Sequence, residues 1–566
     1  MHASRPGNVH PYWLLLAWFL LNLIQAAVTP LDPDETYYWM YASRLDWGYF
    51  DHPPAVALLV SLGMDWLPGP LGIRFGHVLA GTATVAALYH LLERPRGAEL
   101  TLAAALIFAQ PMLQVYGFIA TPDGPLLLFT VLYLLAYRRF LARPDGWSGL
   151  WWGLTMAGLL YSKYHGIVLI TFSVLPKLGW LLRQRGAWIA ALSGLLLFLP
   201  HLYWQYTNDY PSFRYHLGGR DDPYQFKFTT EYILNQLLIF SPLLVYHYVK
   251  ALWKDRAHDD FERACRWLIA GFMLFFLYTT TKGGTEAQWT ALLSIPLVFL
   301  TFQAARRFPA WQGSLLRLCY LSGALLLVAR LLIAAPRDWL PFDKPFDHAP
   351  WVERLAARAG DRPVIVENSY RLASLYTFYS GGRPAWTFTD VEYRPSQYDI
   401  WRGDTAFHDR PVVLLGQADW KTEGALPFRT QKRDMLLREI EHFQVAAHVS
   451  LFPSELPRSV LLPGRKYSIR LRALSPQAVD LRGELPLDLF AILWDADGGK
   501  RYWALAPVRI NDLAAGEEVL LYDGPLHLPP DLPVGEGVLE FGLAYRGMPP
   551  LRGQSGSQSV TIGVRQ

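Results

Sequence analysis

Hydrophobic positions divide this chain into two stretches of different character. Up to about residue 336 they form long runs separated by short polar breaks; beyond it they alternate with polar residues over short distances. A bilayer core takes about 20 apolar residues per helix. On that measure the runs predict spans near 11–29, 71–92, 98–116, 123–141, 147–160, 164–183, 187–206, 230–251, 262–281, 286–304 and 314–335. The segment 53–67 is apolar but brief and reads as an interfacial helix or a twelfth crossing. About eleven spans are therefore expected, with twelve or thirteen as the alternative. The first run is long and lacks a clear small-residue cleavage site, so it is expected to be retained as a span.

Basic residues set the orientation. With the N-terminus inside, the inner loops hold Arg94, Arg96, Arg138, Arg139, Arg143, Arg183, Arg185, Lys250, Lys254, Arg256, Arg263, Arg266, Arg306, Arg307 and Arg317. The outer loops hold only Arg44, Lys163, Arg214, Arg220, Lys227 and Lys282. This puts the loop after the first span, and everything after the last span, on the outer side.

The C-terminal stretch reads as soluble. "RPVIVENSYRLASLYTFY" predicts a strand and a helix, "RPVVLLGQADW" a strand and turn, and "KRDMLLREIEHF" a helix. Runs such as "YSIRLRAL", "LDLFAILWDA" and "GVLEFGLAYR", with Pro/Gly-rich breaks, predict a β-sandwich. The expected domains are a helical membrane domain over 1–338, a small α/β domain over 339–445 and a β-sandwich over 446–566. The sandwich binds or orients an acceptor, or simply caps the cavity.

Composition agrees with a polytopic chain: 52% of residues are hydrophobic and 18% charged, against about 25% charged in soluble domains. The net charge of +4 points to no particular partner. No basic, aromatic-interleaved patch suggests nucleic acid. Cys265 and Cys319 lie in or beside spans without metal-type spacing, and no disulfide framework is indicated. Neither a GxGxxG nor a P-loop pattern is present, so no nucleotide is expected.

The chemistry collects on the outer side. "LDPDETYYWMYASRLDWGYFDHPP" holds Asp32, Asp34, Glu35, Asp46, Asp51 and His52 beside the first span. Asp123 opens the fourth span, Lys163 and His165 stand at the next outer boundary, and Arg214, His216, Arg220, Asp221 and Asp222 share another outer loop. Lys282 and Glu286 stand on the last short one. Ionisable groups at membrane depth are costly unless paired or facing water, and are functional candidates by default. Taken singly, Asp123 reads as a helix cap, Lys163 as a snorkelling side chain, the histidines as structural, and the aromatic residues as an interfacial belt. Those readings leave unexplained the pairs Asp34-Glu35 and Asp51-His52 in one loop closed by Pro53-Pro54.

"DPDETYYW" followed by "YFDHPP", and later by "TPDGPLLLF" and "YSKYHG" in that order, resembles the GT-C superfamily of membrane glycosyltransferases over residues 10–340. The closest branch includes protein mannosyltransferases and the lipid A aminoarabinose and galacturonic acid transferases. The resemblance implies a polyprenyl-phosphate-linked donor, such as an undecaprenyl phosphate sugar, and Asp34 as general base with Glu35 beside it. It places Asp51 and His52 near the donor phosphate or a divalent metal ion that Glu35 also reaches, and Asp123 as the acid at the fourth span. His52 stands where the aminoarabinose branch tends to have Lys. A neutral His is the better metal ligand and the poorer phosphate anchor, so the phosphate falls to Lys163, Arg214, Arg220 or the metal. The expected activity is inverting sugar transfer to lipid A, lipopolysaccharide or another envelope glycan at the periplasmic face of a bacterial inner membrane. The same chemistry on protein Ser or Thr is a close alternative. A lipid-linked-sugar transporter fits less well, because the charges stand at the outer boundary rather than mid-span and no inverted repeat is visible.

Overall fold

The computed structural model describes residues 10–218, 223–335, 339, 347–420, 422–454, 456, 460–496, 498–505, 508 and 510–564. The chain forms two compact units, residues 1–346 and 347–566.

The first unit is helical: α1 (Pro11–Val28), α2 (Pro33–Ala42), α3 (Ala55–Ser61), α4 (Gly69–Leu91), α5 (Ala98–Phe108), α6 (Pro111–Tyr116), α7 (Asp123–Ala142), α8 (Gly146–Ser162), α9 (Gly166–Val174), α10 (Leu178–Leu181), α11 (Arg185–Thr207), α12 (Pro211–Gly218), α13 (Phe226–Ile239), α14 (Val245–Lys254), α15 (Asp260–Thr279), α16 (Ser294–Arg307) and α17 (Gln312–Ala334). A helix stands at each predicted span. Three runs read as single spans are broken, at Pro111, Pro176 and Pro242, where the missing backbone N–H interrupts the ladder. Among the described residues six helical segments are long and apolar enough to cross a membrane unaided: Pro11–Val28, Gly69–Leu91, Asp123–Ala142, Arg185–Thr207, Ala287–Arg307 and Pro309–Ala334. The 53–67 segment is helical only over the seven residues of α3.

Small residues bring α8 into close contact with α11. A Cβ on Gly149 would lie 2.1 Å from the Gly186 carbonyl, and one on Gly153 would lie 2.5 Å from the Ala190 carbonyl. In lipid, where burial of apolar surface drives little helix association, such close backbone approach supplies the contact.

The second unit holds β1 (Val364–Glu367), β2 (Ala385–Phe388), β3 (Arg410–Gln417), β4 (Leu426–Arg429), β5 (Asp434–Phe443), β6 (Ser450–Pro453), β7 (Val460–Leu461), β8 (Lys466–Leu474), β9 (Val479–Asp480), β10 (Leu487–Asp495), β11 (Lys500–Ala504), β12 (Asp512–Leu513), β13 (Glu518–His527), β14 (Gly535–Tyr545) and β15 (Gln558–Ile562). Its helices are α18 (Ala349–Ala359), α19 (Tyr370–Tyr379) and α20 (Gln397–Trp401). One sheet has the order β2-β1-β3-β5-β4, with β1 parallel to β2 and β3. A second five-stranded sheet of order β11-β10-β14-β15-β7 and a three-stranded sheet of order β13-β8-β6 follow.

The structure corrects the helix expected at "KRDMLLREIEHF": that segment is β5, antiparallel to β3. The register slips between Arg410 and Val412, so Ile440 and Phe443 pair with β3 residues only two apart. The slip leaves Leu437, Ile440 and Phe443 buried at three-residue spacing, which in sequence imitates one face of a helix. The two soluble domains expected separately form one unit. The Val391 N–H donates to the Pro550 carbonyl at 2.9 Å, the Tyr545 hydroxyl to the Gln444 carbonyl at 2.8 Å, and Gln554 Nε2 to the Ala446 carbonyl at 2.6 Å.

A Gly153→Leu substitution is expected to force α8 from α11 and to cost about 1–3 kcal/mol, the range for overpacking. A lowered thermal midpoint in detergent checks it, with Gly179→Leu, where a Cβ meets nothing within 4 Å, as the neutral control.

Candidate active site on the acidic first loop

The chain leaves α1 at Thr29 and starts α2 four residues later. Asp32 caps α2: its side chain accepts from the Asp34 N–H at 2.9 Å, while Glu35 Oε2 accepts from the Asp32 N–H at 2.9 Å. With Pro33 at the first helical position, this is a capping box. Asp32 is thus a structural acid of the cluster.

Glu35 is fully buried and pairs with Arg74 of α4, which is 1% exposed. Arg74 Nε meets Glu35 Oε1 at 2.7 Å and Nη2 meets Oε2 at 2.5 Å. The last carbonyls of a helix lack intrahelical donors; at the end of α1 the guanidinium supplies them, reaching the Ala26, Thr29 and Pro30 carbonyls at 3.2, 2.6 and 2.9 Å. Glu35 Oε1 also accepts the Ala120 N–H at 2.8 Å. One ion pair therefore ties α1, α2, α4 and the turn that opens α7.

Asp123 is the first residue of α7, yet its carboxylate makes no cap. Both oxygens face Lys163 Nζ, at 2.8 and 3.0 Å, and both side chains are buried. The cap and the snorkel readings of these residues give way to this pair.

The second half of the loop is held from α11 and α12. Tyr41 stacks on Tyr49 with centroids 4.0 Å apart, and the Tyr41 hydroxyl donates to Asp51 Oδ2 at 3.2 Å. His201 Nδ1 contacts the Trp47 carbonyl at 2.7 Å and its Nε2 the Tyr164 hydroxyl at 2.9 Å. Ser212 donates to the Tyr49 carbonyl at 3.0 Å, and His216 Nε2 lies 3.3 Å from the Asp51 carbonyl. Gly48 allows this approach: a Cβ there would lie 2.5 Å from Trp204. His52 packs edge-on against Tyr38.

The predicted residues thus divide. Asp34, Asp51, His52, Asp123 and Lys163 share one end of the helical unit. Glu35, expected as a catalytic or metal-binding acid, is drawn into the ion pair, where Arg74 and two backbone N–H groups engage both its oxygens. Arg214, expected at the donor phosphate, is largely exposed and pairs with Asp209 at 2.5 Å, because a left-handed turn at Asp209 and Tyr210 folds that acid back beside α12. Arg220, Asp221 and Asp222 lie outside the described residues. Among the described residues no group of three or more His, Cys, Asp or Glu converges as a metal would need. Asp51, His52 and Glu35 therefore do not fit a divalent ion as a set. Sequence reasoning missed Arg74 and His201. For Arg74 a signal was available, since a cation inside the apolar run "GIRFGHVLAG" demands a buried partner.

The second unit has a separate acidic pair. Glu367 ends β1 and Asp390 follows β2; both are buried. Burial, with Asp390 beside it, pushes the Glu367 carboxyl up to about 8, and burial raises Asp390 as well. Glu367 Oε2 accepts the Gln417 N–H at 2.7 Å, and Asn368 Oδ1 the Asp390 N–H at 3.0 Å.

Comparison with known proteins bears on the class. The family described as dolichyl-phosphate-mannose-protein mannosyltransferase matches residues 51–204. The lipid A galacturonosyltransferase RgtD of Rhizobium johnstonii is 21% identical over 71% of this chain and 88% of its own length. The solved structure of ArnT from Cupriavidus metallidurans in the apo state superposes with a TM-score of 0.59 at 12% identity, covering 75% of this chain and 97% of that one. ArnT bound to undecaprenyl phosphate gives 0.57 at 11% identity with the same coverage. The family match covers residues 51–204 of this chain, and the likeness to ArnT is one of fold. The chain is a multi-pass membrane protein with a β-rich C-terminal unit, as in ArnT.

Two outcomes are expected. Glu35→Gln leaves Arg74 charged and buried, and should cost about 3–5 kcal/mol, read as a lowered unfolding midpoint. For Glu367 the folded carboxyl titrates near 8 against about 4.5 unfolded. Its contribution is therefore fully present below about 4.5 and lost as pH rises through about 8. Unfolding of the second unit, followed by hydrogen exchange of β1 and β3, should become easier from pH 5 to 8. Glu367→Gln should flatten that slope.

Proposed function

We propose that this chain is an inverting glycosyltransferase, moving a sugar from a polyprenyl-phosphate-linked donor to lipid A, lipopolysaccharide or another envelope glycan at the periplasmic face of the inner membrane. The observation that carries this reading is the gathering of Asp34, Asp51 and Asp123 with Lys163 at one end of a unit with the GT-C fold. The name of RgtD supports a lipid A acceptor, and ArnT bound to undecaprenyl phosphate supports the donor lipid.

In this mechanism the acceptor hydroxyl attacks the anomeric carbon as its bond to the phosphate oxygen breaks. Asp34 takes the hydroxyl proton. It stands on a helix held by the Asp32 cap and the Glu35–Arg74 pair, so its position is set before substrate arrives. Polyprenyl phosphate leaves, and Lys163, oriented by Asp123, meets its developing charge. His52 and Asp51 stand beside the phosphate. One displacement inverts the anomeric configuration. The match to protein mannosyltransferases over 51–204 favours protein Ser or Thr as the second acceptor class.

Mass spectrometry of envelope lipids and glycans, from cells with and without the protein and with Asp34→Asn, tests the reading. A one-sugar increment that needs the protein, and falls at least 100-fold in Asp34→Asn with the folded protein still in the membrane, is expected. Lys163→Met should lose a similar factor. Full activity in Asp34→Asn removes it as base; unchanged lipids with altered glycopeptides move the acceptor to protein.

A further inference from the structure

A groove of about 720 Å³ lies between α1, α5 and α17. Its walls are apolar, with Leu21, Ala104, Phe108, Gly323 and Leu327 among them, and Arg330 stands at one end. Small residues keep it open: a Cβ on Gly323 would meet only the Phe108 carbonyl, at 3.8 Å.

Arg330 is 6% exposed. Its guanidinium donates to Asn22 Oδ1 at 2.9 Å, to Gln114 Oε1 and the Gln114 carbonyl at 2.5 and 3.2 Å, and to Gln25 Oε1 at 3.4 Å. Every one of these acceptors is neutral. Among the described residues no carboxylate pairs with Arg330, whereas Arg74, which also packs on the Phe118 ring, has Glu35. A buried cation without a counter-charge is costly, and a guanidinium at membrane depth suits a phosphate oxyanion.

Depth and length narrow the occupant. Arg330 stands four residues before the end of α17, roughly 6 Å from it, at the depth of lipid head groups. Along α17 the lining runs from Cys319 to Arg330, roughly 16 Å at 1.5 Å per residue. That is close to half of a bilayer core of about 30 Å, the depth of one leaflet. A fatty acyl chain of one leaflet fills such a groove from end to end.

We propose that this groove binds one anionic bilayer phospholipid, an acyl chain between α1, α5 and α17 and the phosphate beside Arg330. The site is distinct from the donor site at Lys163 and does not rest on the transfer reaction. Its occupant neutralises Arg330 and braces the Asn22, Gln25 and Gln114 side chains that tie α1 to α6.

Native mass spectrometry of the full chain, released from nanodiscs of equal phosphatidylglycerol and phosphatidylcholine with matched chains, tests it. One retained phosphatidylglycerol, preferred at least threefold over phosphatidylcholine, is expected. Arg330→Gln should abolish the preference. Gly323→Leu and Ala104→Phe, which fill the groove from separate helices and leave Arg330 in place, should each cut lipid retention at least threefold. Equal retention of both lipids by the wild-type chain, or undiminished phosphatidylglycerol in both groove-filling variants, overturns the proposal. So does displacement of the retained lipid by equimolar undecaprenyl phosphate, which would make the groove a polyprenyl site.

Discussion

The arrangement of the acidic loop depends on one buried ion pair. Arg74 enters the apolar interior on α4, where an isolated cation is unstable, and Glu35 is the acid that neutralises it. Because the same guanidinium closes the end of α1 and the same carboxylate accepts the Ala120 N–H, compensation of that charge also fixes the geometry of four segments. Asp34, next to Glu35 on α2, and Asp123, three residues beyond Ala120, owe their positions to this pair. A buried pair contributes little net stability against an apolar replacement; its effect here is to define a single placement.

Around it the helical unit contains a second polar layer. The guanidinium groups of Arg74 and Arg330 both pack on the Phe118 ring, 5.4 and 5.0 Å from its centroid. One cation is satisfied by a carboxylate and the other by amide and carbonyl oxygens. Asp123 and Lys163 follow the first pattern, each buried charge being answered by the other.

The second unit uses its polar groups differently. Its parallel strands β1, β2 and β3 place Glu367, Asn368 and Gln417 at their C-terminal ends, the edge where open α/β sheets commonly bind ligands. Here that edge is covered by the segment around Pro550, Leu551 and Arg552, which bonds to Thr389 and Val391. The buried acids Glu367 and Asp390 stand at that edge, and the backbone on either side of Asp390 joins the two halves of the unit.

Much of this protein was legible in its residues. The apolar runs located the helices, because crossing a bilayer requires length and low charge that no other element needs. The motifs in the first loop, at Asp123 and at Lys163 marked a candidate site, because polar groups at membrane depth are costly unless paired or facing water. Which acid does what was not legible. Asp32, Asp34 and Glu35 stand within four residues, and only the fold shows that the first caps a helix and the third faces Arg74. The strand β5 was misread because a bulge gave it helical spacing. Sequence by itself determined where the chain is apolar and which side chains carry charge. Only the tertiary structure decided which charges meet, since partners such as Glu35 with Arg74, or Asp123 with Lys163, lie about forty residues apart and are chosen by packing rather than by spacing.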